Sequence, residues 1–144
     1  MILNYQNVEL LGKTVFKRVK FKPPLTGAQV MESEACLLYN VHGSADFYGD
    51  VLIDEIGSDE SMLMKCGNFI GKWKVTTNET PCEVITIHFF PDVIDLIFEN
   101  NIPAYLKETG TQATRSFQKI EQSTIIRSFI ESLIIYFDNP DLFT

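Results

Sequence analysis

Short apolar segments separated by turn-forming residues fill the first ninety positions of the chain. The first clear segment, residues 15–22 (VFKRVKFK), alternates apolar and basic side chains and ends at Pro23 and Pro24. This alternation is typical of a half-exposed strand. Lysines on such a strand usually keep a sheet edge from pairing with a neighbouring molecule, although they would also suit an acidic partner. We therefore predict an edge strand here.

Further apolar segments follow at short, regular spacings, and residues such as GSDE, CGN and NETP separate them. These separators carry the side chains that favour turns. We predict strands over residues 35–41, 45–48, 51–56, 61–65, 69–76 and 82–90. A series of short strands without interleaved helices favours a sandwich or a small barrel.

The hydrophobic period changes from two residues to a helical repeat at Pro91. Pro91 and Asp92 suit the first turn of a helix, and residues 100–103 would end it. A second helix is predicted from about residue 121 to residue 137, with Asp-Asn-Pro at residues 138–140 as its stop. The chain is thus β-rich first and helical afterwards.

The second predicted helix is apolar around most of its circumference. Its polar side is a narrow stripe around Arg127 and Glu131. A helix of this kind packs on the barrel alone, or is buried on two sides by the barrel and a partner molecule. We favour the second arrangement, a homodimer. The residues expected at the dimer contact are Ile126, Phe129, Ile130, Leu133 and Phe137.

Composition and charge narrow the class of protein. A chain of 144 residues with 45% hydrophobic and 22% charged residues fits one globular domain. The formal charge of -7 repels phosphate, so the chain by itself should bind DNA poorly. No apolar stretch is long enough to span a bilayer, and the start lacks the features of a signal peptide. A cytoplasmic protein without membrane contact is therefore expected.

Groups that could carry out chemistry are scattered along the sequence. His42 and His88 lie too far apart for the HxH pair that places two imidazoles on one strand face. The three cysteines lie outside any CxxC pair, and the carboxylates around Gly57 match no calcium loop. We predict no catalytic residue, no metal and no cofactor. Either histidine could still face a cavity and bind a ligand.

Aromatic side chains from the strand region would meet inside a small barrel. They are Tyr39, Phe47, Tyr48, Phe69, Trp73 and Phe89, with Met62 and Met64 beside them. Such an interior is either filled by its own side chains or holds one small ligand. If a pocket exists, we place Tyr39, Trp73 and His88 near it. Trp73 is the best lining candidate because its ring is large and its N–H needs a partner.

Three stretches together resemble the N-terminal regulatory domain of bacterial AraC-type transcription regulators. They are EACLLYNVHG (residues 34–43), SMLMKCGNFIGKW (residues 61–73) and IHFFPDVIDLIFENNIPAYL (residues 87–106). The ending YFDNP (residues 136–140) is similar as well. In that family a cupin-like barrel is followed by helices that pair two subunits, and a separate C-terminal double helix-turn-helix domain reads DNA.

The resemblance implies an α+β domain over residues 1–144. A small cupin-like (jelly-roll) β-barrel would occupy about residues 1–90, and a helical dimerisation segment about residues 91–144. Residues 139–141 look like the cap and first turn of a further helix, so we expect the chain to be part of a longer protein. The DNA-binding domain would then lie downstream.

The implied function is that of a sensing and dimerising domain in a DNA-binding transcription factor. Its effector would be a small molecule or a protein of unknown identity, and DNA would be contacted only through the downstream domain. The histidine and glutamate metal ligands of the wider cupin class are missing, so enzymatic chemistry is not implied. Two alternatives stay open: a stand-alone jelly-roll protein that binds or acts on a small metabolite or sugar, and a fully packed protein-interaction module.

Overall fold

Antiparallel strands make up most of the structure. The computed structural model describes residues 2–49, 52–75, 80–93, 117–120 and 123–139. Its strands are β1 Ile2–Leu10, β2 Lys13–Phe21, β3 Leu25–His42, β4 Ala45–Tyr48, β5 Leu52–Ile56, β6 Glu60–Trp73, β7 Cys82–Phe89 and β8 Phe117–Ile120. Residues 91–93 are helical, and a helix named α1 here spans Thr124–Asp138.

The strands form one sheet in the order β1-β2-β7-β3-β6-β4-β5, and β8 pairs with residues 61–64 of β6. In the described residues β1 pairs with β2 alone and β5 with β4 alone, so the sheet is open. The strands are compatible with the predicted jelly roll, but the small β-barrel predicted from the sequence is not closed in the described part of the chain. The register of the ladder between the two longest strands, β3 and β6, shifts between Met31 and Ala35.

Strand β6 replaces two predicted strands. The segments over residues 61–65 and 69–76 were separated by a predicted turn at CGN, yet this segment continues the ladder, and Gly67 pairs with Met31 of β3. The turn prediction is wrong because pairing with a long neighbour outweighs the local preference of glycine and asparagine for turns. Strands β1 and β8 were not predicted.

Strand β2 lies inside the sheet, between β1 and β7, and not at an edge. The edge prediction is therefore wrong. The pleat turns Lys17, Val19 and Phe21 toward the inner face of the sheet, while Phe16 packs on the outer face. Arg18, one of the basic residues of this segment, is only 7% exposed.

Two hydrophobic cores lie on opposite faces of the sheet. The inner core includes Phe21, Cys36, Leu38, Phe47, Met62, Met64, Phe69, Trp73 and Val84. The outer core packs α1 on the sheet and consists of Tyr39, Ile85, Ile87, Ile130, Leu133 and Phe137. Successive residues of β3 alternate between the two cores, as the pleat requires. The middle of the sheet is thus buried on both sides.

Helix α1 begins after the cap residue Ser123, whose hydroxyl accepts a hydrogen bond from the Ile126 N–H at 3.4 Å. Its end at Asp138 agrees with the predicted stop. The first predicted helix starts at Pro91 as expected. Its remainder, and the further helix expected from residues 139–141, lie outside the described residues.

Candidate functional site

A cavity of about 220 Å³ lies on the inner face of the sheet. Its walls come from β2, β3, β4, β6 and β7, and most of them are apolar. They include Val19, Phe21, Leu38, Phe47, Trp73 and Val84. This space is many times the roughly 10–15 Å³ that holds one water molecule. A small organic molecule therefore fits.

Aromatic rings build one wall of this cavity. The Trp73 ring meets Phe21 edge-on, with centroids 5.2 Å apart, and Phe47 edge-on at 6.0 Å. Gly71 lies behind Phe47, and a Cβ there would come within 2.8 Å of the ring. Edge-to-face contacts fix the rings relative to one another. The wall is thus apolar and pre-formed.

Lys17 and Thr86 bring polar atoms to the same cavity, and Lys17 is the one ionisable residue in its lining. Within the described part of the chain Lys17 forms no ion pair, whereas Lys13 pairs with Asp92 and Lys20 with Glu83. Lys17 is only partly buried. As the cation of an otherwise uncharged lining, it is the residue with which an anion in the cavity would pair.

Thr86 connects the cavity to His88. The Thr86 hydroxyl lies 3.2 Å from His88 Nε2, and the His88 ring stacks on Phe90 with centroids 6.2 Å apart. Lys13 Nζ lies 4.9 Å from the centre of the Phe90 ring and also pairs with Asp92. His88 thus contacts the cavity through Thr86 rather than lining it.

The three residues predicted near a pocket separate in the structure. Trp73 lines the cavity and His88 lies behind Thr86, but Tyr39 belongs to the outer core. Its hydroxyl donates to Asp59 Oδ1 at 2.9 Å. Burial, and then this hydrogen bond, raise the pKa of Tyr39 to about 12. Tyr39 does not line the cavity because its strand position turns it to the other face of the sheet.

Sequence reasoning missed Lys17 and Thr86. A signal for Lys17 was present, because it has the same parity as Val19 and Phe21 and must share their face of β2. The overall alternation of apolar and basic residues hid this signal. Thr86 lies in a nearly continuous apolar run, where no pattern distinguishes the two faces.

Helix α1 uses most of the predicted dimer residues to pack on its own sheet. Ile130 is 1% exposed, and Leu133 and Phe137 are also buried in the outer core. Ile126 packs partly buried against the same core, and Phe129 is 47% exposed. The sheet of the same molecule therefore covers most of the helix face that was predicted to contact a partner subunit. The apolar residues of α1 that remain exposed are Ile125, Phe129, Ile135 and Tyr136.

Two further features bear on function. Among the residues with described positions, no three histidine, cysteine, aspartate or glutamate side chains come together as a metal site would require. None of the described helices has the length and apolar character needed to cross a membrane.

The fold is similar to solved structures of a regulator and of a cupin domain. ToxT from Vibrio cholerae with a bound unsaturated fatty acid aligns with a TM-score of 0.61 at 12% identity, over 88% of this chain and 47% of ToxT. ToxT bound to (E)-4-(8-methylnaphthalen-1-yl)but-3-enoic acid gives 0.57 at 11% identity, over 87% and 49%. The Schizosaccharomyces pombe Cnp3 cupin domain gives 0.51 at 7% identity, over 74% and 78%.

These similarities concern the fold. No family model matches the chain, and no curated protein matches it in sequence. The chain spans about half the length of ToxT, an AraC-type regulator. The cupin-like fold implied by the sequence resemblance is confirmed at this level.

Proposed function

We propose that this chain is the effector-sensing and dimerising part of an AraC-type transcription regulator. The observation that carries the proposal is the apolar cavity with one lysine, set on the inner face of a cupin-like sheet whose outer face holds α1. A ligand that prefers one arrangement of sheet and helix shifts the population toward it. DNA recognition belongs to another part of the whole protein, since a net charge of -7 does not suit phosphate contacts.

The proposed effector is a small carboxylic acid with an apolar body. Its carboxylate would pair with the Lys17 ammonium group, Thr86 would supply a hydroxyl, and the body would lie against Trp73. Both ligands named in the ToxT structures are acids with apolar bodies. Binding rather than catalysis is proposed because no carboxylate, cysteine or histidine stands among the described lining residues.

Removing the Lys17 charge tests this proposal. We expect octanoate to raise the melting temperature of the wild-type protein, because it binds the native state. In Lys17→Met its affinity, measured by calorimetric titration, should fall about ten-fold or more, since a charge-assisted contact is lost. Octanol, which has the same body without the charge, should bind both proteins alike.

Lys20→Met is the matched control, because it also removes an ammonium group from β2. The ammonium group of Lys20 pairs with Glu83 and does not line the cavity. Its affinity for octanoate should equal that of the wild type. Equal octanoate affinities in the wild type and Lys17→Met would contradict the role of Lys17.

The exposed apolar stripe of α1 is proposed as the dimer contact. Ile125, Phe129 and Tyr136 recur at helical spacing along one side of the helix, and all three are exposed. In a two-fold dimer the stripe of one subunit contacts the same stripe of the other, so the same side chains are buried on both subunits. Of the five dimer residues predicted from the sequence, this proposed contact keeps Phe129. The exposed residues Ile125 and Tyr136 take the place of those that pack against the sheet.

A charge within this stripe should separate the subunits. We expect Phe129→Glu to be monomeric in sedimentation velocity at concentrations where the wild type is a dimer, because two buried carboxylates would repel each other. Thr124→Glu is the control, since it adds the same charge to the first turn of α1, where the helix dipole favours it. A monomeric wild type, or a dimeric Phe129→Glu protein, would contradict the interface.

A further inference from the structure

Arg18, itself buried, joins β2 to the C-terminal end of α1 through a cluster of polar groups. Its Nη1 lies 2.7 Å from Asp138 Oδ1, and its Nη2 lies 3.4 Å from Glu83 Oε2 of β7. Gln6 of β1 accepts from Nη1 at 3.4 Å and donates its own Nε2 to the Phe137 carbonyl at 2.8 Å. Arg18 of β2 and Gln6 of β1 thus bind the last turn of α1 directly, and Glu83 of β7 contacts the guanidinium group of Arg18.

The hydrogen bonding of this cluster is incomplete. Arg18 Nε is buried without a hydrogen-bond partner in the described structure, which is costly for a charged group. Glu83 divides its carboxylate between Arg18 and Lys20, each at 3.4 Å. Asp138 lies at the end of a helix, where the dipole disfavours a negative charge unless a cation offsets it. A small displacement of β2 would therefore change which of these contacts form.

The cluster lies directly behind the cavity. Lys17 and Arg18 are consecutive residues of β2, and they point to opposite faces of the sheet because of the pleat. Val19 and Phe21, on the inner face of the same strand, also line the cavity. A ligand in the cavity thus contacts the inner face of β2 next to Arg18. On the outer face of the same strand, Arg18 binds α1.

We propose that Arg18 is the positioning residue through which occupancy of the cavity sets how firmly the last turn of α1 is held. This inference rests on the proposed function of the cavity. A carboxylate at Lys17 immobilises β2 and keeps Arg18 on Asp138, so the end of α1 is held more tightly when the cavity is full. Because coupling between two sites is reciprocal, loosening the cluster also weakens binding in the cavity.

Hydrogen exchange of the backbone amides of residues 133–138, with and without octanoate, tests the coupling. In the wild type octanoate should slow this exchange at least about five-fold, the lower end of typical coupling between sites. In Arg18→Met the same amides should exchange quickly whether or not octanoate is present. The dissociation constant of octanoate for this variant should also rise at least about five-fold. The loss of the octanoate effect on exchange is the change that a merely structural role of Arg18 would not produce.

Arg127→Met is the matched control, because it makes the same substitution at an arginine outside the cluster. Arg127 pairs with Glu131 on the exposed side of α1 and, among the described residues, forms no ion pair with the strands that hold the helix end. Both the exchange and the octanoate affinity of this variant should match the wild type. If Arg18→Met does not fold, Asp138→Asn replaces it, because Asp138 is exposed and the change removes only the charge at the helix end. The same loss of response is expected.

The possible failures can be told apart. If octanoate binds the wild type but leaves exchange in residues 133–138 unchanged, or binds the cluster variant and the wild type equally, the coupling is overturned and the cavity stands. If octanoate does not bind the wild type, the ligand class proposed for the cavity is overturned and the coupling with it. A wild-type titration done first separates the two cases.

Discussion

Replacing Ile130 with alanine is expected to lower the free energy of unfolding by about 3 kcal/mol, within the usual cost of truncating a buried isoleucine. Ile130 is 1% exposed and belongs to the same buried cluster as Tyr39 and Ile85. The truncation leaves a space between α1 and the sheet, which paired strands cannot move to fill. Equilibrium unfolding in urea, followed by circular dichroism, measures the loss.

Ile125→Ala is the matched control, because it removes the same atoms from the same helix at a position that is 84% exposed. Its effect should stay within about 0.5 kcal/mol. Ile125 belongs to the proposed dimer stripe, so both variants should be compared at a concentration where they share one oligomeric state. Equal losses at the two positions would contradict the packing of α1 on the sheet.

A second large effect is expected at the turn after β3. Gly43 has a φ of +127°, and a Cβ there would lie 2.7 Å from Cys82 Sγ and 3.2 Å from Cys82 Cβ. Cys82 is buried in the inner core and cannot easily withdraw. We expect Gly43→Ala to lower the free energy of unfolding by about 3 kcal/mol, because a backbone strain of about 1–3 kcal/mol adds to this contact. Urea unfolding again supplies the measurement.

Gly12→Ala separates the two causes. Gly12 also has a positive φ, +74°, but nothing lies within 4 Å of the added Cβ. Its substitution should therefore cost only the backbone strain, about 1 kcal/mol. If Gly43→Ala were no more destabilising than Gly12→Ala, the close approach of Gly43 to Cys82 would be disproved.

Local pattern sufficed for several elements. Strands β2, β4, β5 and β7 and the C-terminal end of α1 lie where apolar periodicity and turn residues predict them. Strand β1 escaped prediction because its side chains, ILNYQNVEL, do not alternate and most of them are exposed. It is a strand because β2 pairs with it over most of its length. The single strand β6 has the same explanation, since the ladder to β3 carries it through CGN.

The candidate site was predicted less completely than the fold. Trp73 could be placed near a pocket because its large ring is buried whichever face of the sheet it lies on. Lys17 could not, since its role depends on which face of β2 encloses the cavity. Nor could Arg18, whose burial depends on the end of α1 beside it.

The sequence by itself determined that the first part of the chain is β-rich, where most strands lie, and where α1 stops, because strand alternation, turns and helix caps act over a few neighbouring residues. Only the tertiary structure decided that the sheet is open, that Lys17 faces the cavity while Arg18 faces α1, and which side of α1 is buried. These properties arise from contacts between segments distant in the chain, such as β2 with β7 and α1 with the sheet. A strand's period of two is equally compatible with either face until such contacts choose one.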